Sequence, residues 1–462
     1  MQIKMLNSLP VIIPLFIRQI ALLFFALGFS IFFARHYDIS LFASYSNTII
    51  LLYFALAIGD GAFYIPLMNE DNTRTLIDSA FSRHQIICTI IMLFLIVFSL
   101  PISNALFVPP ILICFFAVSL VFMPFQSVNQ FFFEKKGIFK TNVFNEVTQS
   151  AVFFISLWLA FYIGGGFRWA GLAFVMRMFV GCLLAYHWSR YQPRFSVKVP
   201  YLSLPNSLRL MAINVMGFLN SIAGPLVLGH FFSISQVAAV NWSISNASYV
   251  QQPFIILNRF LIPFFSNKNE VRILNVYRVF SIFYFATLIL IFGLSGTILG
   301  LVYGQKWMIY INVFYAVLLT TFLVPISVPT GAFAAVSGRS NFILRMNVIR
   351  LILFWGVLIV FSKLNFGVWS YIYAQIIAEI LHVPTFFIVM RSLSKQVVRA
   401  YAMCLTFSSP CMFGVWYYIV RQPDQLNILT KSILVLSLVS LFLFFTLCVS
   451  KRSYMEKNEV SI

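Results

Sequence analysis

Long apolar segments alternate with short polar stretches along the whole chain. A helix that crosses a bilayer needs about 20 mostly apolar residues. By that measure the sequence predicts an all-α polytopic membrane protein with about fourteen transmembrane helices. The predicted spans are residues 10–34, 41–67, 84–107, 109–133, 147–163, 169–189, 208–231, 237–265, 280–301, 310–336, 347–363, 368–390, 401–420 and 428–449. Pro109 and Pro110 alone separate the third span from the fourth, because a helix cannot continue through a proline without its N–H.

Lysine and arginine are distributed unevenly between alternate loops. One set of loops and termini holds 21 of the 31 basic residues, and the opposite set holds six. Because cytoplasmic loops carry the excess of Lys and Arg, this pattern predicts an even number of spans with both termini in the cytoplasm. The first apolar segment has no small-residue cleavage site, so we expect a retained span rather than a signal peptide.

The composition excludes a soluble protein. Apolar residues make up 61% of the 462 residues and charged residues only 9%, whereas soluble domains average about 45–50% and about 25%. The net charge of +19 comes from residues scattered between apolar runs, so nucleic acid is not a predicted partner. We find no Walker, HExxH or GxSxG motif and no CxxC pair. We therefore predict no enzyme activity, no catalytic residues, no cofactor and no metal site.

The spans group as two sets of six followed by two more. Residues 1–190 are predicted to form an N-terminal six-helix bundle, and 191–207 a basic cytoplasmic linker. Residues 208–391 are predicted to form a second six-helix bundle, followed by two additional helices and a tail in 392–462. An even number of spans in the first set predicts that both sets share one orientation, as in parallel repeats.

Three stretches resemble a known family. Ser40–Tyr64 has a Tyr-rich start that leads to an Asp-Gly pair, Ala239–Asn267 ends in an aromatic-Pro motif, and Ala334–Glu379 has a Gly-containing turn and a late Glu. Together they resemble the O-antigen/polysaccharide lipid flippases (Wzx-like) of the multidrug/oligosaccharidyl-lipid/polysaccharide exporter superfamily. The resemblance implies that the chain moves an undecaprenyl-diphosphate-linked oligosaccharide from the cytoplasmic to the periplasmic leaflet of the bacterial inner membrane. It also implies the lipid bilayer and other O-antigen assembly proteins as partners.

Polar side chains recur at helical spacing within three of the predicted spans. The eighth span carries Asn241, Ser245, Ser248, Gln252 and Arg259, the second carries Ser46, Tyr53, Asp60 and Tyr64, and the fifth carries Asn142, Asn145, Gln149 and Ser156. Each set keeps to one helix face. Two interpretations are open for each stripe, an aqueous groove or interhelical hydrogen bonds.

Two groups of ionisable residues are predicted within the bilayer. Arg18 and Asp60 lie at similar depth in neighbouring antiparallel spans, as a structural ion pair or with Arg18 as a phosphate ligand. In the twelfth span Gln375, Glu379 and His382 are spaced 4 and 3. Glu379 lies about 16 Å from the outer end of that span, near the midplane. Coupling to H⁺ or Na⁺ is one interpretation of Glu379 and His382, and a buried hydrogen-bonded pair is the other.

Four arginines, Arg18, Arg177, Arg259 and Arg350, lie inside apolar segments. A charge in the bilayer interior is costly unless it faces a cavity or a partner, and arginine binds phosphate with a planar fork of donors. We therefore predict a cationic central cavity between the halves, with Arg18 and Arg259 as the main candidates and Asn241 and Gln252 nearby. Arg350 lies near a span end, where snorkelling of the side chain is an alternative.

Three other functions compete with a lipid flippase. A multidrug or cation antiporter of the same superfamily would share the fold, but four membrane arginines favour an anionic substrate. An O-antigen polymerase or ligase usually needs a long outer loop, which this chain lacks. A purely structural membrane protein would not need polar stripes on several helices.

Overall fold

The computed structural model describes residues 9–44, 46–47, 50, 74–106, 108–135, 139–164, 169–189, 191–196, 211–212, 215–216, 218–219, 228–229, 231–266, 270–336, 340–389, 406, 410, 435 and 437–440. Within these residues the secondary structure is helical and contains no strand. The predicted all-α fold class is therefore confirmed. The chain divides into a first unit, Met1–Ala238, and a second unit, Ala239–Ile462.

Seven helices carry the described part of the first unit. They are α1 (Leu9–His36), α2 (Arg74–Val97), α3 (Ser99–Leu106), α4 (Pro110–Ser119), α5 (Met123–Lys135), α6 (Phe139–Tyr162) and α7 (Trp169–Ser189). α7 packs along α6 and also contacts α4 and α5, while α1 packs against α6. α6 thus lies between α1 and α7, which determines the site described below.

The second unit continues with a similar series of helices. Its described helices are α8 (Ile234–Ser266), which begins just before the division, α9 (Glu270–Tyr303), α10 (Ile311–Leu319), α11 (Val324–Val336), α12 (Ser340–Lys363), α13 (Trp369–Ile380) and α14 (His382–Val389). α12 packs along α13, and α14 returns to contact α11. An aromatic cluster forms its core, where Trp242 stacks on Trp307 with ring centroids 5.5 Å apart.

Seven stretches of the described chain are long and apolar enough to cross a membrane. They are Arg74–Val97, Pro110–Phe133, Lys140–Ala160, Trp169–Ser189, Val279–Tyr303, Gln305–Thr330 and Leu344–Lys363. Each overlaps a predicted span, although Arg74–Val97 begins ten residues before the predicted start at 84, and α1, α8 and the α13–α14 pair cover three more. The predicted spans 41–67, 208–231, 401–420 and 428–449 lie largely outside the described residues.

Prolines accompany several breaks in the described helices, including the predicted one at Pro109 and Pro110. Val108 and Pro109 are not helical, and α4 begins at Pro110, whose missing N–H costs nothing in the first turn. A short 3-10 turn precedes Pro124 in the first unit, at Leu120–Phe122. The second unit has a matching 3-10 turn at Thr320–Leu323, two residues before Pro325. Such turns shift the direction of a helix without ending it.

The segment that follows α7 is fastened to the start of α2. Buried Asp78 accepts hydrogen bonds from the Tyr191 hydroxyl and, at 3.0 Å, from the Arg194 backbone N–H. The Ser196 N–H donates to the Ser82 hydroxyl at 2.7 Å. Burial raises the pKa of the Tyr191 hydroxyl, and the bond to Asp78 raises it further, so Tyr191 remains a proton donor. The first residues after α7 therefore belong structurally to the first unit.

Candidate functional site

Arg18 of α1 forms an ion pair with Glu146 of α6 in the first unit. Both Nε and Nη2 of Arg18 contact Oε2 of Glu146. The side chains are 19% and 14% exposed, so the pair is shielded without being sealed. Since an uncompensated charge inside a membrane costs several kcal/mol, each residue stabilises the other within these apolar helices.

Glu146 is absent from the residues that the sequence singles out. The predicted fifth span begins at residue 147, although its polar stripe begins at Asn142. In the structure α6 begins at Phe139 and places Glu146 about 10 Å along the helix. The polar stripe on either side of it was the signal that could have identified it. Asp60, the predicted partner of Arg18, lies outside the described residues, so an Arg18–Asp60 pair stays a prediction.

Amide side chains on α6 continue the polar face beside Glu146. Asn142, Asn145 and Gln149 are only 6%, 2% and 2% exposed. The Gln126 side chain of α5 donates to Gln149 Oε1 at 3.0 Å. Three buried atoms, Asn145 Oδ1, Gln149 Nε2 and Gln126 Oε1, make no hydrogen bond with the described protein atoms. The stripe thus forms one interhelical hydrogen bond and retains unused hydrogen-bonding capacity.

The neighbouring helix, α7, packs against this face with a glycine, Gly181, and carries an arginine, Arg177, one turn earlier. A Cβ at Gly181 would lie 2.7 Å from Gln149 Cγ, so only glycine permits this approach. One turn before it, the Arg177 guanidinium lies 5.8 Å from the Phe153 ring and 5.6 Å from the Phe174 ring. Its Nε is buried without a hydrogen bond. Among the described residues, ring faces rather than a carboxylate lie against this arginine.

A second ion pair lies within the second unit. Arg350 of α12 contacts Glu379 of α13 through Nη2 and Oε1, and each side chain is 13% exposed. Gln375, one turn before Glu379, donates to the same oxygen at 3.0 Å. Arg350 Nε is buried and makes no hydrogen bond within the described part of the chain. Arg350 therefore pairs with a carboxylate. The alternative of a snorkelling side chain did not include such a partner.

The remaining predicted residues of the second unit are positioned only in part. His382 begins α14, after a break at Leu381, and its side chain is outside the described part. Gln252 and Arg259 lie in α8, but their side chains are likewise not described. Asn241 is 2% exposed, next to the buried Trp242. One turn further along α8, Asn246 accepts a hydrogen bond from the Tyr303 hydroxyl at 2.9 Å.

A sequence profile identifies the family. The profile described as "Polysaccharide biosynthesis protein" matches residues 34–312, more than half of the chain. The chain belongs to this polysaccharide biosynthesis protein family. No curated protein matches the sequence.

Solved structures share the fold of this family member. Lipid II flippase MurJ in an inward closed conformation aligns over 97% of this chain and 100% of its own, with a TM-score of 0.70 at 14% identity. A multidrug resistance MATE family transporter of the MOP superfamily, in an inward-facing conformation, aligns over 81% of this chain and 94% of its own, with a TM-score of 0.59 at 14% identity. A eukaryotic MATE transporter gives a TM-score of 0.58 at 12% identity, over 83% and 94% of the two chains. The fold is that of the predicted exporter superfamily.

The site chemistry of this polysaccharide biosynthesis family member is that of paired opposite charges in a membrane. A guanidinium in each unit can bind a phosphate by two parallel hydrogen bonds once its carboxylate partner moves. The carboxylates can bind a proton or a cation instead. Among the described residues no group of three or more His, Cys, Asp and Glu could hold a metal ion.

Proposed function

We propose that this protein is a flippase for an undecaprenyl-diphosphate-linked oligosaccharide, the O-antigen unit, which it moves from the cytoplasmic to the periplasmic leaflet. Transport proceeds by alternating access and is coupled to an ion, H⁺ or Na⁺. The protein is a multi-pass membrane protein, and we place it in the bacterial inner membrane with both termini in the cytoplasm. Other O-antigen assembly proteins are its proposed partners.

One observation carries this proposal: a member of a polysaccharide biosynthesis family keeps arginines inside its membrane helices, each with a specific partner. Arg18 and Arg350 are both less than one-fifth exposed. Charges in this position are costly, and a diphosphate that leaves water needs fixed positive charge in place of its hydration shell. The sharing of a fold with a lipid II flippase supports the same substrate class.

The proposed roles follow the predicted residues. Substrate binding is assigned to Arg18, Arg177, Arg259, Arg350, Asn241 and Gln252, and ion coupling to Asp60, Glu379 and His382. The Arg350–Glu379 pair joins these two sets, because a proton on Glu379 would release Arg350 for an anion. Arg18 and Arg259 remain the strongest single candidates for the diphosphate.

Reconstituted vesicles test the proposal directly. A fluorescent undecaprenyl-diphosphate oligosaccharide in the inner leaflet should become accessible to an external quencher only when the protein is present. Alanine at Arg18 and Arg259 together should abolish this movement in protein that inserts stably. Normal export of O-units by that double variant would overturn the substrate assignment, and Glu379→Gln with His382→Ala at full rate over a range of pH would overturn the coupling.

The second candidate function is a multidrug or cation antiporter. The fold shared with MATE transporters and the carboxylates on α6 and α13 favour it. The two functions separate in the same vesicles. An antiporter would expel a cationic dye such as ethidium and leave the lipid in place, whereas the flippase would do the reverse.

Reporter fusions test the proposed orientation. Fusions after Arg168, Lys363 and Arg421 should report the periplasm, and fusions after Lys198 and Lys395 the cytoplasm, as the distribution of basic residues requires. A consistent reversal at two of these positions would overturn the topology.

A further inference from the structure

Glu146 occupies one edge of the Arg18 guanidinium in the arrangement that the structure shows. Two of its donors, Nε and Nη2, already contact Oε2 of Glu146. A guanidinium presents its donors in a fixed planar fork, and a phosphate that binds bidentately requires one edge of that fork. A phosphate that binds through the Nε–Nη2 edge therefore competes with the carboxylate.

We propose that Glu146 is the resident counter-ion of Arg18, which holds the guanidinium while the site is empty and is displaced by the substrate diphosphate. This inference rests on the proposed function. A carrier that returns without cargo must avoid a bare buried cation, because removal of one partner of a buried ion pair costs about 3–5 kcal/mol. Glu146 neutralises the charge of Arg18 each time the carrier returns without substrate.

The surroundings of the pair support displacement. Both side chains keep some exposure, so an incoming anion has access. Gln149 lies three residues after Glu146, a spacing that makes two residues neighbours on a helix surface. Its Nε2 is buried and makes no hydrogen bond with the described protein atoms, although its Oε1 is bonded to Gln126. This donor, one helical turn from Glu146, is a candidate partner for the carboxylate when Arg18 releases it.

The second ion pair differs in the feature that matters. Gln375 already donates to the oxygen of Glu379 that Arg350 contacts. That carboxylate is held by two donors at once, from α12 and α13. We therefore do not extend the displaceable role to Glu379.

Binding of farnesyl diphosphate to the purified full-length protein tests the proposal, with farnesol as the uncharged control. Glu146→Gln keeps the shape of the side chain and removes the competing charge. It should bind farnesyl diphosphate about tenfold more tightly, equivalent to about 1.4 kcal/mol. It should also flip lipid more slowly, because no carboxylate remains to expel the phosphate. Arg18→Gln should bind weakly, and adding Glu146→Gln to it should produce no gain.

The sign of the change separates this role from a structural one. A merely structural partner predicts that Glu146→Gln loosens the helices and binds farnesyl diphosphate equally or less well, which would overturn the proposal. Glu146→Asp has a shorter side chain and should bind Arg18 more weakly, so it should also bind farnesyl diphosphate more tightly. This variant replaces Glu146→Gln in the test if the Gln variant does not fold. If Arg18→Gln binds normally, the proposed role of Arg18 itself fails. If only the Glu146 variants fail to tighten binding, the flippase proposal stands without the counter-ion.

Discussion

Two helical hairpins, one in each unit, begin with helices of equal length and carry different charges. The first comprises α6 and α7, and the second comprises α12, α13 and α14. α6 and α12 are both 24 residues long, and a tryptophan begins the returning helix in each case, Trp169 and Trp369. The first hairpin returns in one continuous helix, whereas the second is broken at Leu381.

The eleventh residue of the first helix carries different chemistry in the two hairpins. The eleventh residue of α6 is Gln149, which packs on Gly181, and the eleventh residue of α12 is Arg350, which pairs with Glu379. The first hairpin instead pairs its carboxylate, Glu146, with α1. In the second unit the ion pair therefore joins two helices of the hairpin itself. In the first unit it joins the hairpin to a neighbouring helix, α1.

The largest effect should come from Arg350→Ala, which leaves Glu379 buried without its cation. We expect the free energy of unfolding to fall by about 3–5 kcal/mol, measured by chemical unfolding in detergent. The control is the double variant Arg350→Gln and Glu379→Gln, which removes both charges and makes the second hairpin resemble the first. It should unfold close to wild type while losing transport. Equal stability of Arg350→Ala and wild type would show that the pair does not support the hairpin.

Removal of the Asp78 carboxylate should release the segment that follows the first hairpin. Asp78→Ala leaves the Tyr191 hydroxyl and the Arg194 N–H without their acceptor, a loss of about 1–3 kcal/mol. Trypsin should then cleave faster at Arg194, which is exposed. Asp38→Asn is the matched control, because Asp38 is exposed and its carboxylate makes no described ion pair. Equal cleavage rates in the two variants would contradict the anchoring role.

The close approach in the first hairpin predicts a third effect. Gly181→Ala would force Gln149 away from α7 and from its hydrogen bond with Gln126, at a cost of about 1–3 kcal/mol. Gly356→Ala, in α12, is the matched control, since a Cβ there meets nothing within 4 Å. That change should be neutral or slightly stabilising. A melting temperature that is lower for Gly356→Ala than for Gly181→Ala would reverse this part of the comparison.

The sequence predicts the helices of both hairpins better than their partners. Apolar length and proline breaks indicate where helices lie, because the bilayer requires long apolar segments and satisfied backbone groups. The ion-pair and hydrogen-bond partners of side chains are harder to predict, since they depend on which helices are neighbours. Helical spacing correctly groups Gln375 with Glu379, which are on one helix. It could not connect Arg18 with Glu146 or Arg350 with Glu379, because these residues lie 128 and 29 positions apart.

A boundary error of two turns also explains why Glu146 was missed. A hydropathy window gives weight to apolar residues and therefore starts the fifth span at 147, after the polar residues that begin α6. Those residues are buried because other helices cover them. Contacts with other helices do not change the hydropathy of the local sequence. In this chain the polar stripe at helical spacing marks the start of α6 better than hydropathy does.

The smallest effect concerns Arg177, the arginine of the first hairpin that has rings instead of a carboxylate. Arg177→Lys keeps the charge but loses the flat face that stacks between Phe153 and Phe174, so we expect a loss of about 1 kcal/mol in stability. The corresponding Arg350→Lys keeps a charge beside Glu379, and its ion pair should survive in part. Flipping rates of the two variants decide whether Arg177 binds substrate. If Arg177→Lys lowers transport as much as Arg18→Lys, then Arg177 belongs to the diphosphate path. If transport follows only the small loss of stability, its role is to pack α6 against α7.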